Sequence, residues 1–398
     1  MHATPFARTN ARHPFREFGL FVEDRLSHVY VIGRTGVGKS TLLERMMQGD
    51  IRDSHGFALL DPHGDLAVRV AQAVPEERRS DLVYLDIADP RCPYRYNPLR
   101  RVTNDLHPLV VSGVIEVFKK MWPEAYGVRM EHLLRQALYT LLCQPRATFP
   151  DLLRLFRDRT YRREVISRVT HEPVRDFWKE EWARYHPRQK VEALAPIENK
   201  VGAFLADPRL YRLLAGDGED LRLRRIMDEG KILVVNLNKG VLGEDSAGLV
   251  GGLLMTSLSL AALSRGSTAT SARRPFFIYV DEFQSVTTKV VANMTAELRK
   301  FGIGMVLANQ FLSQLDEEVR DAVLGNVGTL LAFRLGPQDA GLLAKELAPV
   351  FTAHDLMNLP NRDLCAKLLV RGAPLPPFSG TALEPYRRHS DRRLSLCR

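Results

Sequence analysis

A glycine-rich segment between a predicted strand and a predicted helix constrains the fold most strongly. The segment, Gly33 to Ser40, reads GRTGVGKS and fits the pattern G-x-x-x-x-G-K-S/T. Backbone N–H groups can wrap around a phosphate only where residues without a Cβ let the chain turn tightly. The apolar run SHVYVIG leads into the segment, and the helical stretch TLLERMM follows it. The segment therefore predicts a phosphate-binding loop and a nucleotide-binding protein.

Each part of this loop has an expected role. Lys39 supplies a positive charge to the β- and γ-phosphates, and the Ser40 hydroxyl is placed to bind Mg²⁺. The helix that starts there points its positive dipole end at the same phosphates. We expect the nucleotide site to consist of Gly33, Arg34, Thr35, Gly36, Val37, Gly38, Lys39, Ser40 and Thr41.

Apolar strands and helical patterns alternate on both sides of a helical stretch. Strands are predicted at 27–33, 57–61, 81–87, 231–237, 276–282, 304–310 and 328–336, with 363–372 as a weaker candidate. Nearly continuous apolar runs of this kind are typical of parallel strands covered on both faces. Between 103 and 225 the apolar residues recur at helical spacing instead. The pattern predicts an α/β domain with a mostly parallel sheet, interrupted by an all-α insertion.

Acidic and polar residues follow two of the predicted strands. Asp281 and Glu282 end the run FFIYVDE; the first acid is expected to hold Mg²⁺ and the second to polarise the attacking water. Gln310 closes GMVLANQ, where its amide is placed to sense the γ-phosphate. Arg299 and Arg334 are candidates for a positive finger, and spacing alone does not separate that role from a surface role for either arginine.

A further signature, DPHGD, follows the predicted strand FALL. Asp61 stands at the carboxyl end of that strand, the side on which ligands bind in open parallel sheets. It is a candidate to support the Mg²⁺ site from a neighbouring strand. His63 has no second His or Cys at ligand spacing, which argues against a separate metal site.

Charge and cysteine content bear on the partner and the compartment. The 398 residues include 56 Lys and Arg against 47 Asp and Glu, a formal net charge of +9. This surplus favours an anionic partner, nucleic acid first and a membrane surface second, although an arginine-rich genome would give the same balance. Four well-separated cysteines without a C-x-x-C pair fit a reducing cytoplasm. The apolar stretch 247–264 contains three glycines, which favours a buried helix over a membrane span.

Several motifs together resemble one superfamily. In order they are VIGRTGVGKSTLLERMM, FALLDPHGDLA, YLDIADPRCPYRYNPL, KILVVNLNKGVLGED, FIYVDEFQ, ELRKFGIGMVLANQ and LGNVGTLLAFRLGPQDA. The set is similar to the HerA–FtsK superfamily of DNA-pumping ATPases, and within it to the TraG/TraD coupling proteins of conjugation and type IV secretion. The similarity runs from Phe18 to Phe378.

The resemblance implies a RecA-like P-loop ATPase domain, which we place at 18–102 and 226–380, and an all-α domain at 103–225. Residues 1–17 would form an N-terminal segment and 381–398 a basic tail. The coupling proteins usually carry an N-terminal membrane anchor, and only the short polar segment 1–17 precedes the ATPase domain here. We therefore expect no membrane span and a cytoplasmic protein, or one held at the inner membrane by a partner.

Roles for the site residues also follow from the resemblance. Lys39 and Ser40 would take the phosphate and Mg²⁺ roles, with ATP as the nucleotide. Asp281 and Glu282 would be the Mg²⁺ and catalytic pair. Gln310 would be the sensor. In the ELRKFG motif, Arg299 becomes the preferred finger on a neighbouring subunit's nucleotide, and Arg334 is the second choice.

The expected function is that of a motor ATPase. A ring, expected to be a homo-hexamer, would hydrolyse ATP at its subunit interfaces and move DNA, single- or double-stranded, through a central channel. The all-α domain would engage a relaxase, a secretion-system protein or another accessory protein. Two alternatives stay open: a HerA-like DNA-processing motor, and a nucleotide-gated adaptor that recruits protein cargo through the all-α domain.

Overall fold

The computed structural model describes residues 3–100 and 102–386, which form two compact units. The first, here called the sheet unit, comprises the chain up to Asp86, then Leu223–Gly240, and the chain from Ala261 onward. The second, the helical unit, comprises Ile87–Arg222 and Val241–Leu260. Most of the expected basic tail, 387–398, lies outside the described residues.

The strands of the described residues have the following bounds: β1 (Ala3–Thr9), β2 (Glu17–Phe21), β3 (Val29–Ile32), β4 (Gly56–Asp61), β5 (Leu82–Asp86), β6 (Tyr94–Arg95), β7 (Glu219–Asp220), β8 (Ile232–Asn236), β9 (Phe276–Val280), β10 (Ile303–Asn309), β11 (Thr329–Ala332), β12 (Asp363–Lys367), β13 (Leu369–Val370), β14 (Ala373–Pro374) and β15 (Phe378–Ala382).

The helices of the same residues are α1 (Val22–Arg25), α2 (Lys39–Arg52), α3 (Asp65–Ala73), α4 (His107–Met121), α5 (Val128–Leu142), α6 (Asp151–Arg157), α7 (Arg159–Ser167), α8 (Glu172–Asp176), α9 (Trp182–Arg184), α10 (Pro187–Ala206), α11 (Pro208–Ala215), α12 (Leu223–Glu229), α13 (Lys239–Leu242), α14 (Glu244–Ser264), α15 (Lys289–Leu298), α16 (Glu317–Asn326), α17 (Pro337–Glu346) and α18 (Ala353–Met357).

A large sheet organises the sheet unit. Its order within the described residues is β2-β1-β15-β12-β11-β3-β10-β9-β4-β8-β5. From β11 to β5 the neighbouring strands run parallel, and their central members are buried along their whole length because they are apolar on both faces. The predicted α/β class with a mostly parallel sheet is confirmed. The parallel arrangement also brings the carboxyl ends of β3, β4, β8, β9 and β10 to one edge.

Beyond β11 the sheet continues, within the described residues, with four antiparallel strands, of which only β12 was predicted, as the weaker candidate at 363–372. Strands β12, β15, β1 and β2 pair in that order. Strand β1 lies in the segment expected to precede the ATPase domain, and β15 runs two residues past the expected boundary at 380. The chain's N-terminal segment and the residues after Pro377 therefore both contribute strands to the large sheet.

A buried ion pair anchors helix α2 beneath strand β9. The Arg25 guanidinium donates to both carboxylate oxygens of Asp50, at 2.6 and 2.8 Å, and also to the Tyr279 hydroxyl at 2.6 Å. Arg25 and Asp50 are 1% and 0% exposed. Each buried charge thus has its counter-ion, as buried charges generally require. The pair fixes the end of α2 against the strand that leads to Asp281.

The helical unit packs around aromatic side chains. Phe118 of α4 contacts Trp122 and Phe149, and Trp178 donates its indole N–H to the Thr140 hydroxyl at 2.7 Å. One short strand, β7, falls in the stretch expected to be entirely helical and pairs with β6.

The helical stretch Glu244–Ser267, which contains α14, is long and apolar enough to cross a membrane by length and composition alone. However, 78% of its most apolar window is buried within the protein, as is usual for a core helix.

Candidate active site

The predicted phosphate loop connects β3 to α2 at the carboxyl edge of the sheet. Gly36 and Gly38 have φ angles of +78° and +114°, in the left-handed region that favours glycine. Gly33 packs so closely on Phe333 that an added Cβ would lie 2.6 Å from the Phe333 Cβ. The backbone N–H of Gly33 donates to the Asn309 carbonyl at the end of β10. The glycines of the motif are therefore required by the path of the chain.

An open cavity of about 560 Å³ lies at this loop. The residues that line it are Thr35, Gly36, Gly38, Lys39, Ser40, Thr41, His63, Asp281, Glu282, Gln310, Asn361 and Arg362. Of the predicted loop residues, Gly33, Arg34 and Val37 are absent from this lining, and Val37 is fully buried. The cavity thus brings together both halves of the site that the motifs predicted.

Lys39 closes the loop on itself. Its ammonium donates to the backbone carbonyls of Gly33, at 2.5 Å, and Arg34, at 3.0 Å. Burial lowers the pKa of Lys39 below its usual value, although Asp281 and Glu282 oppose the shift. A charge with so little compensation favours an incoming phosphate, which would replace the two carbonyl contacts.

Asp281 faces the loop from the end of β9. The Ser40 hydroxyl donates to its carboxylate at 3.2 Å, so the two residues predicted to bind Mg²⁺ are in contact. Burial, reinforced by the nearby charge of Asp61, raises the pKa of Asp281. Asp61 itself accepts hydrogen bonds from the backbone N–H groups of His63, at 2.9 Å, and Ala67, at 2.8 Å. Asp61 therefore holds the DPHGD turn onto α3.

Glu282 is held by donors from three other strand ends. Its Oε2 accepts from the Lys239 ammonium at 2.7 Å, and its Oε1 accepts from His63 Nε2 at 2.8 Å and Gln310 Nε2 at 2.6 Å. Burial acts to raise the pKa of Glu282, but Lys239 and His63 outweigh it and hold the pKa below its usual value. The residue is 5% exposed and has a φ of +46°. Such left-handed backbone is uncommon outside glycine and concentrates at functional sites.

Gln310 links the two halves of the site. Its amide nitrogen donates to Glu282, and its amide oxygen accepts from the Thr35 hydroxyl of the phosphate loop at 2.9 Å. The position fits the sensor role, because a ligand at the loop would meet the same side chain that touches the candidate base.

The two arginine candidates occupy different places. Arg334 follows β11; its guanidinium donates to the Leu359 carbonyl and the Asn361 side chain, and its carbonyl accepts from Arg34 N–H. Arg299 is exposed in the turn that precedes β10. It therefore stands at the amino end of a strand whose carboxyl end carries Gln310, on the opposite edge of the sheet from the cavity.

A sequence model of the family described as "Helicase HerA, central domain" matches residues 22–256, more than half of the chain. The chain belongs to this family. It is a P-loop ATPase of the HerA–FtsK superfamily, as the motifs predicted. Among curated proteins, no sequence match was found.

Several solved structures share the fold. Conjugative coupling protein TrwB in complex with ADP and Mg²⁺ is 16% identical, with a TM-score of 0.66 over 98% of this chain and 97% of that one. The unbound TrwBdeltaN70 form gives 0.66 over 94% and 88%, also at 16% identity. VirB4 of Thermoanaerobacter pseudethanolicus is 12% identical, with a TM-score of 0.64 over 98% of each chain. At these identities the likeness establishes the fold alone.

The motifs did not point to every residue of the site: Lys239 contacts Glu282 without lining the cavity, and Asn361 and Arg362 line it. Lys239, in NLNKG, follows β8 and could have been found by the rule that located Asp281, since it is a polar residue just after an apolar strand. Asn361 and Arg362 lie in the connection before β12, where no strand pattern or motif marks them.

Proposed function

We propose that the chain is an ATP-dependent DNA translocase of the coupling-protein kind. One observation carries the proposal: a buried glutamate held by Lys239, His63 and Gln310 faces a phosphate loop across one cavity, in a chain that shares its fold with TrwB over nearly its full length. This is the arrangement expected of a site that activates water beside a bound triphosphate.

The residues present fit ATP and Mg²⁺. The loop supplies backbone N–H groups, the start of α2 and the Lys39 ammonium for the phosphates. Ser40 and Asp281 supply the hydroxyl and single carboxylate with which proteins commonly hold Mg²⁺ beside substrate phosphates. When bound, the cation supplies compensating charge for the phosphate oxygens and for Asp281. TrwB has been solved with ADP and Mg²⁺ and with an ATP analogue, in keeping with this assignment.

The protein's own residues would carry the proton and the alignment. Glu282 accepts the proton of the attacking water, and Gln310 holds its carboxylate in the direction of the phosphate loop. Gln310 also contacts Thr35, so a nucleotide bound at the loop would directly affect the position of the catalytic base Glu282. Arg299 would complete the site of a neighbouring copy in a homo-hexameric ring, where it would offset charge on the transferring phosphoryl.

A cluster of cations in the helical unit supports an anionic partner. Burial and the charge of neighbouring Arg159 lower the pKa of Arg162, and burial with Arg162 and Arg159 lowers that of Lys190. These side chains are thus close enough to repel one another, and a polyanion would relieve the repulsion.

We also propose that the protein acts in the cytoplasm, or at the inner membrane through a partner.

The test measures ATPase rate with and without single- and double-stranded DNA, together with nucleotide binding. We expect stimulation by DNA, loss of binding and hydrolysis in Lys39→Ala, and a loss of hydrolysis of about 10²- to 10⁴-fold with binding retained in Glu282→Gln. Lys231→Ala, at the opposite end of strand β8 from Lys239, is the control and should behave as wild type. An ATPase rate that does not change with DNA of any form or length would contradict the proposed motor function.

A second candidate is a nucleotide-gated adaptor, because the same cation cluster would suit an acidic protein. Arg159→Glu with Lys190→Glu separates the two functions. A DNA motor should lose DNA stimulation and keep its basal ATPase rate, whereas an adaptor should keep its ATPase rate unchanged and lose a cargo protein.

The family match equally supports a HerA-like DNA-processing motor. Co-purification of the chain with a nuclease favours that motor, and co-purification with a relaxase or a secretion-system protein favours the coupling protein.

A further inference from the structure

Arg362 enters the cavity from a connection that no motif marks. It precedes β12, its backbone N–H donates to the Val37 carbonyl of the phosphate loop at 2.8 Å, and its side chain lies over Gly38. Its φ is +72°, so with Glu282 it is a second non-glycine residue in left-handed backbone that lines the cavity. Left-handed backbone at a residue other than glycine is uncommon and recurs at functional sites.

The order of the strands decides which end of a nucleotide Arg362 would meet. Strand β3, which carries the phosphate loop, lies between β10 and β11. Glu282 and Gln310 reach the loop from the β9–β10 side, so the γ-phosphate faces that side. Arg362 reaches it from the β11–β12 side. A triphosphate that lies across the loop therefore turns its nucleoside end toward Arg362.

The guanidinium now pairs with a residue that lies outside the cavity lining. It donates to the Glu384 carboxylate, in the segment after β15, and both side chains are about half exposed, at 48% and 63%. The same segment is fastened to α2: Arg45 donates to the Glu384 carbonyl and stacks on the Tyr386 ring at 3.3 Å, and Tyr386 N–H donates to Gln48. An exposed ion pair of this kind is weak enough to be exchanged for a ligand.

We propose that Arg362 packs its guanidinium against the base of the bound nucleotide and that Glu384 competes for it when the site is empty. The phosphates already have the loop amides, Lys39 and the start of α2, whereas a planar, weakly hydrated guanidinium suits the face of a base. The contact uses no hydrogen bond to the base edge, so ATP and GTP benefit alike. The inference rests on the proposed nucleotide binding at this cavity.

Arg362→Gly removes the side chain and suits the left-handed backbone, so the variant should remain folded. We expect a three- to thirtyfold rise in the dissociation constants of Mg-ATP and Mg-GTP, on the order of one stacked cation, and no change for Mg-tripolyphosphate. Arg371→Gly is the matched control, since Arg371 has a φ of +51° in the β13–β14 turn and does not line the cavity. It should bind all three ligands as wild type does.

Glu384→Gln should have the opposite effect and tighten ATP by up to about fivefold, the worth of an exposed ion pair. If Arg362→Gly binds ATP as tightly as wild type, or weakens tripolyphosphate as much as ATP, the contact with the base is wrong. If Glu384→Gln leaves ATP affinity unchanged, the competition is wrong. A wild-type protein that binds neither ATP nor tripolyphosphate would instead refute the proposed function.

Discussion

Mixing two inactive variants, Arg299→Ala and Lys39→Ala, should restore part of the ATPase activity. Arg299 precedes β10, and the phosphate loop lies at the carboxyl edge of the sheet. At about 3.3 Å per residue, β10, which runs from Ile303 to Asn309, separates the two edges by about 23 Å, well beyond the length of an arginine side chain. Arg299 therefore cannot serve the nucleotide of its own chain, and a finger role requires a neighbouring copy.

The expected recovery follows from counting sites. In a head-to-tail ring, a working site needs Lys39 from one copy and Arg299 from the next. In an equal mixture that exchanges freely, an intact Lys39 is followed by an intact Arg299 at about one site in four, so about one quarter of the wild-type rate should return if sites act independently. Each variant alone should stay at background, because a finger contributes about 10³- to 10⁵-fold.

The assay follows phosphate release against the mixing ratio, with subunit exchange monitored by fluorescence transfer between labelled copies. A mixture of Lys39→Ala with Glu282→Gln is the matched control, since both residues line the cavity of the same chain, and it should recover nothing. If the Arg299 mixture also stays inactive while exchange is observed, a shared site at Arg299 is refuted.

Further predictions concern the base and the buried ion pair. Lys239→Met removes a charge that holds the pKa of Glu282 down, so that pKa should rise and the acid limb of the ATPase pH profile should move to higher pH. An acid limb that does not move would contradict this effect of Lys239 on Glu282. Asp50→Asn leaves the Arg25 guanidinium buried without its counter-ion and should destabilise the protein by about 3–5 kcal/mol, or about 6–20 °C in melting temperature. Asp53→Asn, which breaks a more exposed pair at the end of the same helix, should lower stability by less than about 1 kcal/mol, and equal melting shifts in the two variants would contradict the argument.

The central part of the sheet could be predicted because its strands carry their own signal. Buried parallel strands such as β4, β8 and β10 are apolar up to the polar residue that ends each of them, so a local window is enough to find them. Strands β1 and β15 carry polar residues and are buried only at some positions. These two strands pair with each other although they lie near opposite ends of the sequence; Arg8, for example, is opposite Thr381. A local sequence pattern contains no information about so distant a partner.

The residues of the site also fall into those that the sequence pattern could predict and those that it could not. Lys39, Asp281 and Gln310 belong to motifs that directly follow apolar strands, so their closeness to one another follows from the sequence pattern alone. Lys239 carries the same signal, but none of the expected roles requires a lysine at that position. Arg362 could not be found, since its place beside Gly38 depends on the path of the chain between α18 and β12.

The geometry also separates the two arginines that sequence left as alternatives. Arg334 is bonded to the Arg34 N–H of its own phosphate loop, and its guanidinium holds the Leu359 carbonyl and Asn361, next to Arg362. Arg334 therefore positions residues around the nucleotide cavity of its own chain, and we infer that it acts on that chain's nucleotide and not on a neighbour's. Arg334→Ala should then weaken nucleotide binding in its own chain, and mixing it with Lys39→Ala should recover none of the activity that the Arg299→Ala mixture regains. If ATPase activity recovered in the Arg334→Ala mixture and not in the Arg299→Ala mixture, Arg334 would be the finger that acts on a neighbouring copy and Arg299 would not.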